Sequence, residues 1–315
     1  MHASNTRGSI RCVIDPSHES WVLGGLMREI ASANEHFNKQ LLILPPPRRI
    51  SNHLFVRLRL VREESILFSS LTPMINYLRF PFWTRNQVLR LWFTHKEGDF
   101  SKREVRCLKR ATHIYVHSNR EAARLRNLGC ENVTVAIGAI EPKRFAEKSM
   151  VGEDIVWVGT PSARKAPWEL LNQVRKLPHL RFRLLGNGWE TSEYWGEVTS
   201  LKNLTYIPIS HPLTSRDFDG CFAFFMTSDV EGGPMPLLET LCAGLAPIAT
   251  DCGFVKDLFK YCDIPESLIY NQSTPLLDQI GFLELNWPEY ESTARQRALD
   301  LNFPRFSEIL SGKSF

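Results

Sequence analysis

The stretch over residues 222–250 leaves few folds open. Phe222-Ala-Phe-Phe-Met226 is an apolar run of the length expected for one buried strand. Glu231-Gly232-Gly233 follows, then Pro234 and Pro236, then a leucine-rich segment ending at Ala243-Gly244. Proline is tolerated in a first helical turn, where the amides lack partners, and glycine suits the position just past a helix end. Leu245-Ala-Pro-Ile-Ala-Thr250 then reads as a second strand. Strand, glycine turn, short helix and strand make up the unit of a parallel α/β sheet. Such a turn aims backbone amides at whatever sits above the strand ends, a ready place for an anion. Two carboxylates flank it. Glu231 lies in the turn, and Glu239 lies on the helix, on a stripe with Met235 and Cys242 rather than with Leu237 and Leu241.

Glu231, Gly232, Leu238 and Glu239 spell E-G-x-x-x-x-x-L-E, and Ala243, Gly244, Pro247 and Ala249 follow. This composite resembles the nucleotide-binding signature of retaining glycosyltransferases of family 4. A bare pair of glutamates eight positions apart carries little information; its setting between two apolar strands carries much more. The resemblance implies the GT-B fold: two Rossmann-like α/β domains facing each other across a cleft, with C-terminal helices crossing back to the N-terminal domain. The expected boundaries are 1–146 for the acceptor-binding domain, 147–290 for the donor-binding domain and 291–315 for the returning helices. The implied activity is transfer of a sugar from a nucleotide-sugar to a glycan or lipid-linked acceptor, in cell-surface polysaccharide synthesis.

A length of 315 residues accommodates two such domains, and 43% hydrophobic with 23% charged residues is ordinary for a globular chain. The seven cysteines form no C-x-x-C pair, so they read as small buried hydrophobes in a reducing cytoplasm rather than as a zinc site or disulfide framework. The start does not read as a signal peptide, and no uncharged run reaches membrane-spanning length. The net charge of +4 hides an asymmetry: residues 1–145 carry 23 Lys+Arg against 12 Asp+Glu, and the remainder 15 against 22. A basic half beside an acidic half suggests two domains with different partners.

Ser9-Ile-Arg-Cys-Val-Ile14 reads as the first strand, followed by a turn through Gly24-Gly25, a helix carrying Leu26, Ile30, Ala33 and Phe37, and a strand at Leu41-Leu-Ile-Leu44. By the resemblance the double glycine would bring backbone close to donor and acceptor, which the missing Cβ permits. Residues 48–90 mix arginines (Arg48, Arg49, Arg57, Arg59, Arg62, Arg79, Arg85, Arg90) with Phe55, Phe68, Phe80, Phe82 and Trp83. That composition suits an anionic membrane surface, and it also suits an ordinary basic domain face or nucleic acid. No nucleic-acid-binding motif accompanies it, so nucleic acid is not expected as a partner. Peripheral attachment to the inner membrane face is the corollary of the first reading. Val88-Leu-Arg-Leu-Trp-Phe-Thr94 is a strand ending at His95; the resemblance makes His95 a donor-sugar contact, and a structural histidine is the alternative.

In the second half, Ile155-Val-Trp-Val158 leads into Gly159-Thr-Pro-Ser-Ala-Arg-Lys165. Family members carry G-R-x-x-x-x-K there, with both cations on the donor diphosphate. Lys165 matches, Thr160 replaces the arginine, and Arg164 is the candidate substitute. Gly186-Asn-Gly188 resembles the G-x-G turn under the nucleotide. The roles implied are therefore Lys165 and Arg164 on the diphosphate, Glu239 on the ribose, Glu231, Gly232, Gly233 and His95 on the sugar, and Leu238, Gly186 and Gly188 around the donor. The resemblance implies no cofactor and no metal, and no Asp-x-Asp motif of the kind metal-dependent transferases use stands out. Alternatives on the same fold are an epimerase, a phosphorylase or a non-catalytic nucleotide-sugar or polysaccharide-binding subunit.

Overall fold

The computed structural model describes residues 10–14, 22–33, 37, 42–43, 60, 63–78 and 87–311. Contacts within the chain divide it into two units, Met1–Ala139 with Phe303–Phe315, and Ile140–Asn302.

Among the described residues the first unit carries six strands, β1 (Ile10–Ile14), β2 (Leu42–Ile43), β3 (Ser65–Phe68), β4 (Val88–Phe93), β5 (His113–Val116) and β6 (Val133–Val135). They form one parallel sheet in the order β2-β1-β3-β4-β5-β6. Helices α1 (Val22–Ala33), α2 (Leu71–Tyr77), α3 (Lys102–Leu108) and α4 (Asn119–Asn127) follow β1, β3, β4 and β5, as parallel pairing requires. Apolar side chains leave the sheet on both faces. Ile66, Phe68, Leu89, Leu91 and Val116 build one core, and Cys12, Ile14, Leu67, Trp92 and Tyr115 build the other.

Strand β3 is the element that the sequence reading passes over. Its four residues stand between Glu63-Glu64 and Ser69-Ser70, inside a region whose composition suggested a surface. Phe68 is fully buried there, and Arg90 is buried on β4, donating to Ser65 Oγ at 3.1 Å and Tyr115 Oη at 2.8 Å. Neither residue is available to a membrane. Arg48, Arg49, Arg57, Arg59, Arg62, Arg79, Arg85, Phe55, Phe80, Phe82 and Trp83 lie outside the described residues. Gly24 and Gly25 stand within α1 rather than in a turn before it. An added Cβ at Gly25 would meet nothing within 4 Å, so the fold itself does not demand glycine there.

At the end of β5, His117 is buried between Trp92, whose indole N–H donates to Nε2 at 3.1 Å, and the carbonyls of Ala136 and Ile137, 3.0 and 3.2 Å from Nδ1. Those partners fix the neutral tautomer with the proton on Nδ1. Burial pushes the imidazole down to about 4. The unfolded chain therefore takes up a proton near pH 6.5 that the folded chain refuses until about pH 4, so stability is full above 6.5 and falls as pH drops across that window. His117→Phe should flatten the acid limb of the unfolding midpoint between pH 6.5 and 4; an unchanged slope would assign the limb to other groups.

The second unit carries β7 (Asp154–Val158), β8 (Arg181–Leu185), β9 (Leu204–Ile207), β10 (Cys221–Met226), β11 (Ala246–Thr250) and β12 (Ile269–Tyr270). They too form a parallel sheet, in the order β12-β11-β10-β7-β8-β9. The helices are α5 (Pro167–Lys176), α6 (Trp195–Ser200), α7 (Met235–Ala243), α8 (Val255–Tyr261) and α9 (Leu276–Asp300). Helix α10 (Phe303–Ser311) belongs to the first unit, where it packs on α1. The units part at Ile140 and Asn302, whereas the sequence reading parts them at 146 and 290. The 3-10 turn Pro142–Phe145 is tied into the second unit: Arg144 donates to Leu213 O at 2.8 Å, and Phe145 O accepts from Arg295 at 2.9 Å. Residues 291–300 continue α9 through Pro288 and stay on α7.

All seven cysteines are buried free thiols, as expected of small hydrophobes. Among the described residues no helix is long and apolar enough to cross a membrane.

Candidate functional site

The strand ends of the second unit gather the polar residues. After β7 the chain passes Gly159 and forms a 3-10 turn at Ala163–Lys165, ended by Ala166 in the left-handed conformation at φ 47°. Non-glycine residues rarely adopt that conformation, so something must hold it. Thr227, just past β10, does so: its hydroxyl lies 2.8 Å from Lys165 O and 3.2 Å from Ala166 O, and accepts from the Trp157 indole at 3.0 Å. Asp229 N donates to Arg164 O at 2.9 Å from the same loop. The β7 loop and the β10 loop are thereby laced together.

This lacing brings the two cations to one carboxylate. Lys165 Nζ lies 2.5 Å from Glu231 Oε1, and Arg164 Nη1 lies 2.7 Å from Oε2. Ser228 Oγ donates to Oε1 at 3.1 Å. The Glu231 side chain is 7% exposed and that of Lys165 10%, against 38% for Arg164. Arg164 therefore stands beside Lys165 on Glu231, while Thr160 holds the sequence position that the resemblance gives to arginine. Beyond Glu231, α7 opens at Pro234 with its first turn closed on itself, Met235 N donating to Gly233 O at 2.8 Å and Leu237 N to Pro234 O at 3.0 Å, so the amides that face a ligand are those of the Gly232-Gly233 turn before the helix. Gly253, at φ 55°, lets the β11 loop pass Glu231: a Cβ there would sit 3.1 Å from Glu231 O and 2.9 Å from Pro234 Cδ.

Gly186 closes the floor. An added Cβ would fall 2.0 Å from Gly159 O, which also accepts from the Trp189 indole at 2.9 Å. Gly188 takes φ 82° with only Pro161 Cδ near, at 3.9 Å.

Glu239 stands apart from the Arg164–Lys165–Glu231 group. It is buried, and its Oε1 pairs at 3.1 Å with Arg144 Nη2. Burial pushes its carboxyl up, Arg144 opposes that shift, and Asp217 adds to it. Leu238 is fully buried, so its side chain fills the core. His95 and Gly24-Gly25 belong to the first unit, with His95 exposed beyond β4.

Arg144, Thr227 and Ser228 are residues that the sequence reading misses. Arg144 sits beside Phe145 of the domain-exit motif, and Ser228 three residues before Glu231; neither spacing is a signal on its own. One Asp-x-Asp spacing is also passed over, Asp217-Phe218-Asp219. Asp217 caps Thr214 through its N–H and hydroxyl at 2.7 and 2.9 Å, and Asp219 Oδ1 accepts from Met150 N at 2.8 Å. Their carboxylates serve two separate turns. Among the described residues no group of three or more His, Cys, Asp or Glu side chains could hold a metal ion.

No family model matches the chain, and no curated protein matches it in sequence. Solved structures do match. HepE from Anabaena, in complex with UDP and glucose, is similar with a TM-score of 0.74 at 12% identity, over 96% of this chain and 98% of that one. Sucrose-phosphate synthase from Thermosynechococcus elongatus gives 0.71 at 13% identity over 96% and 98%. The lipopolysaccharide outer core galactosyltransferase WaaB, in its apo form, gives 0.70 at 12% identity over 97% and 100%. Two parallel six-stranded Rossmann-like sheets, with α10 returned to the first unit, are thus the arrangement that the resemblance implied: the chain has the GT-B fold of glycosyltransferases.

Proposed function

We propose that the chain is a retaining glycosyltransferase whose second unit binds a nucleotide-sugar. The observation that carries this reading is the buried Glu231 carboxylate held between Lys165 and Arg164, beside the Gly232-Gly233 turn that leads into α7. HepE was solved with UDP and with UDP-glucose, which supports a donor of that class. In the reaction the bond between the anomeric carbon and the diphosphate oxygen breaks. The acceptor oxygen bonds to the same carbon on the same face, its proton passes to the departing diphosphate, and a nucleoside diphosphate leaves.

Negative charge grows on the leaving group, and stabilising it is the main task of the site. Lys165, Arg164 and the amides following Gly232 would supply that stabilisation. Glu231 and the Gly232-Gly233 backbone would orient the sugar. Glu239 would accept the ribose hydroxyls. The acceptor is a glycan or a lipid-linked sugar, and the basic, aromatic sequence of 48–90 supports the lipid-linked choice through attachment to an anionic membrane face.

The test is incubation with a panel of labelled nucleotide-sugars, scored for slow donor hydrolysis and for transfer to added oligosaccharide or lipid-linked acceptors. Turnover of one donor is expected. Binding of a donor without turnover, across the acceptor panel, would instead identify a non-catalytic binding subunit.

A further inference from the structure

Arg144 stands at the junction of three elements of the second unit. Its Nη2 meets Glu239 Oε1 on α7 at 3.1 Å, and its Nη1 donates to Leu213 O at 2.8 Å. Its carbonyl accepts from Ser215 Oγ at 3.4 Å, and its guanidinium lies 5.3 Å from the Phe145 ring centre. One planar cation therefore links the turn that opens the second unit, the loop entering the 3-10 turn Ser215–Phe218, and the helix bearing Glu239.

We infer that Arg144 is a positioning residue, which fixes the Glu239 carboxylate so that its remaining lone pairs receive the two hydroxyls of the donor ribose. The inference rests on the donor-binding reading given above. A carboxylate offers about four acceptor positions. Arg144 pairs with Oε1, and no other ion pair or hydrogen bond to the Glu239 side chain occurs among the described residues. The side chain stays 11% exposed, so its remaining acceptor positions are open to solvent or to a ligand. The fork geometry of arginine also fixes direction, because Nη1 is anchored on Leu213 O while Nη2 holds the carboxylate.

The electrostatics agree with this geometry. The charged groups facing Glu239 are Arg144 from the Pro142–Phe145 turn and Asp217 from the Ser215–Phe218 turn, with Cys242 on its own helix. Arg295 of α9 lies behind Cys242, whose carbonyl it holds at 2.9 Å. His211 sits 3.5 Å from Asp217. Burial and Asp217 both favour a protonated Glu239, and Arg144 alone opposes them. Only the ionised carboxylate is a pure acceptor, so removal of Arg144 should make ribose binding weaken as pH falls.

The experiment is calorimetric titration of wild type, Arg144→Gln, Arg144→Lys and Glu239→Gln with UDP, GDP, ADP and their 2′-deoxy counterparts at pH 5.5, 7 and 8.5. For the nucleotide that wild type binds best, Arg144→Gln should lose roughly tenfold at pH 7, one charge-assisted hydrogen bond's worth. The terminal phosphate of the nucleotide takes up a proton across this range, so each variant is read as its ratio to wild type: the loss in Arg144→Gln should be larger at pH 5.5 than at 8.5. Arg144→Lys keeps the charge, and its ratio should not change with pH. The 2′-deoxy nucleotide should bind wild type more weakly, yet bind Arg144→Gln and Glu239→Gln about as well as its ribose parent. His211 is present in every variant, so differences between them are not its titration. Wild-type affinity and the wild-type pH profile in Arg144→Gln, beside a loss in Glu239→Gln, would overturn the positioning role. A lysine variant as pH-sensitive as the glutamine one would do the same. Wild-type binding by Glu239→Gln would instead sink the ribose assignment and take the positioning role with it.

Discussion

Lys165→Ala is expected to weaken binding of the nucleoside diphosphate product by about 1.5–3 kcal/mol, roughly 10- to 150-fold, the range for hydrogen bonds to charged groups. The ammonium is 2.5 Å from Glu231 and nearly enclosed, so solvent screens it little. Arg164 touches the same carboxylate from a position more than a third exposed, and Arg164→Ala should therefore cost less, about 1 kcal/mol or below. The order of the two effects follows from burial, since both side chains carry one charge. Part of the Lys165 loss should appear in kcat, because charge on the diphosphate grows as the bond breaks. Loss of Lys165 also leaves Glu231 facing the incoming anion with one cation fewer, so adding Glu231→Gln should restore some affinity. Calorimetry on the single and double variants, beside steady-state kinetics, checks this. Wild-type product binding by Lys165→Ala would show that the diphosphate lies elsewhere.

Gly186→Ala should destabilise the second unit by about 3 kcal/mol or more, combining overpacking with the penalty for a side chain at positive φ. The new Cβ would sit 2.0 Å from a backbone oxygen, Gly159 O, so no side-chain rotation relieves it. Moving Gly159 would strain the hydrogen bonds of its N–H to Leu185 O and of its carbonyl to the Trp189 indole, both 2.9 Å. For a unit of this size the loss corresponds to a fall of about 6–12 °C in Tm. Gly188→Ala is the control. It shares the positive φ but meets only Pro161 Cδ at 3.9 Å, so it should cost only about 1 kcal/mol. Equal melting of the two variants would mean that the loops do not approach as closely as described.

The β10–α7–β11 unit was legible because its signals are local: apolar runs set the strands, Pro236 opens the helix and Gly244, at φ 95°, ends it. Strand β3 was not, since four apolar residues among arginines and phenylalanines give no period to read. Glu239 shows the same limit inside the site. Helical spacing turns it away from Leu237 and Leu241, yet every residue of α7 from Leu237 to Ala243 is buried. Helix α9 covers one side and the turns at 142–145 and 215–218 another. Those segments lie 21 to 97 positions from Glu239 in sequence, beyond any local pattern. Leu238 carries the opposite lesson, for a motif letter can mark a packing position beside the chemistry. Arg164 reached Glu231 because the loop coils into a 3-10 turn at Ala163, a conformation fixed by Thr227 from another strand.

The buried thiols make the chain its own unfolding reporter. Cys12, Cys107 and Cys130 lie in the first unit, and Cys221, Cys242, Cys252 and Cys262 in the second. Alkylation needs an exposed thiolate, and burial both hides these sulfurs and pushes Cys12, Cys107, Cys221, Cys252 and Cys262 up to about 12. A thiol reagent therefore modifies a given cysteine only when its own surroundings open, at a rate set by the open population or, when alkylation outpaces reclosing, by the opening rate. Peptide mapping after timed labelling resolves opening of the two units separately, with no engineered label. Cys252, beside the Thr250 hydroxyl in the loop that passes Glu231, further distinguishes local opening of the candidate site from melting of the sheet beneath it.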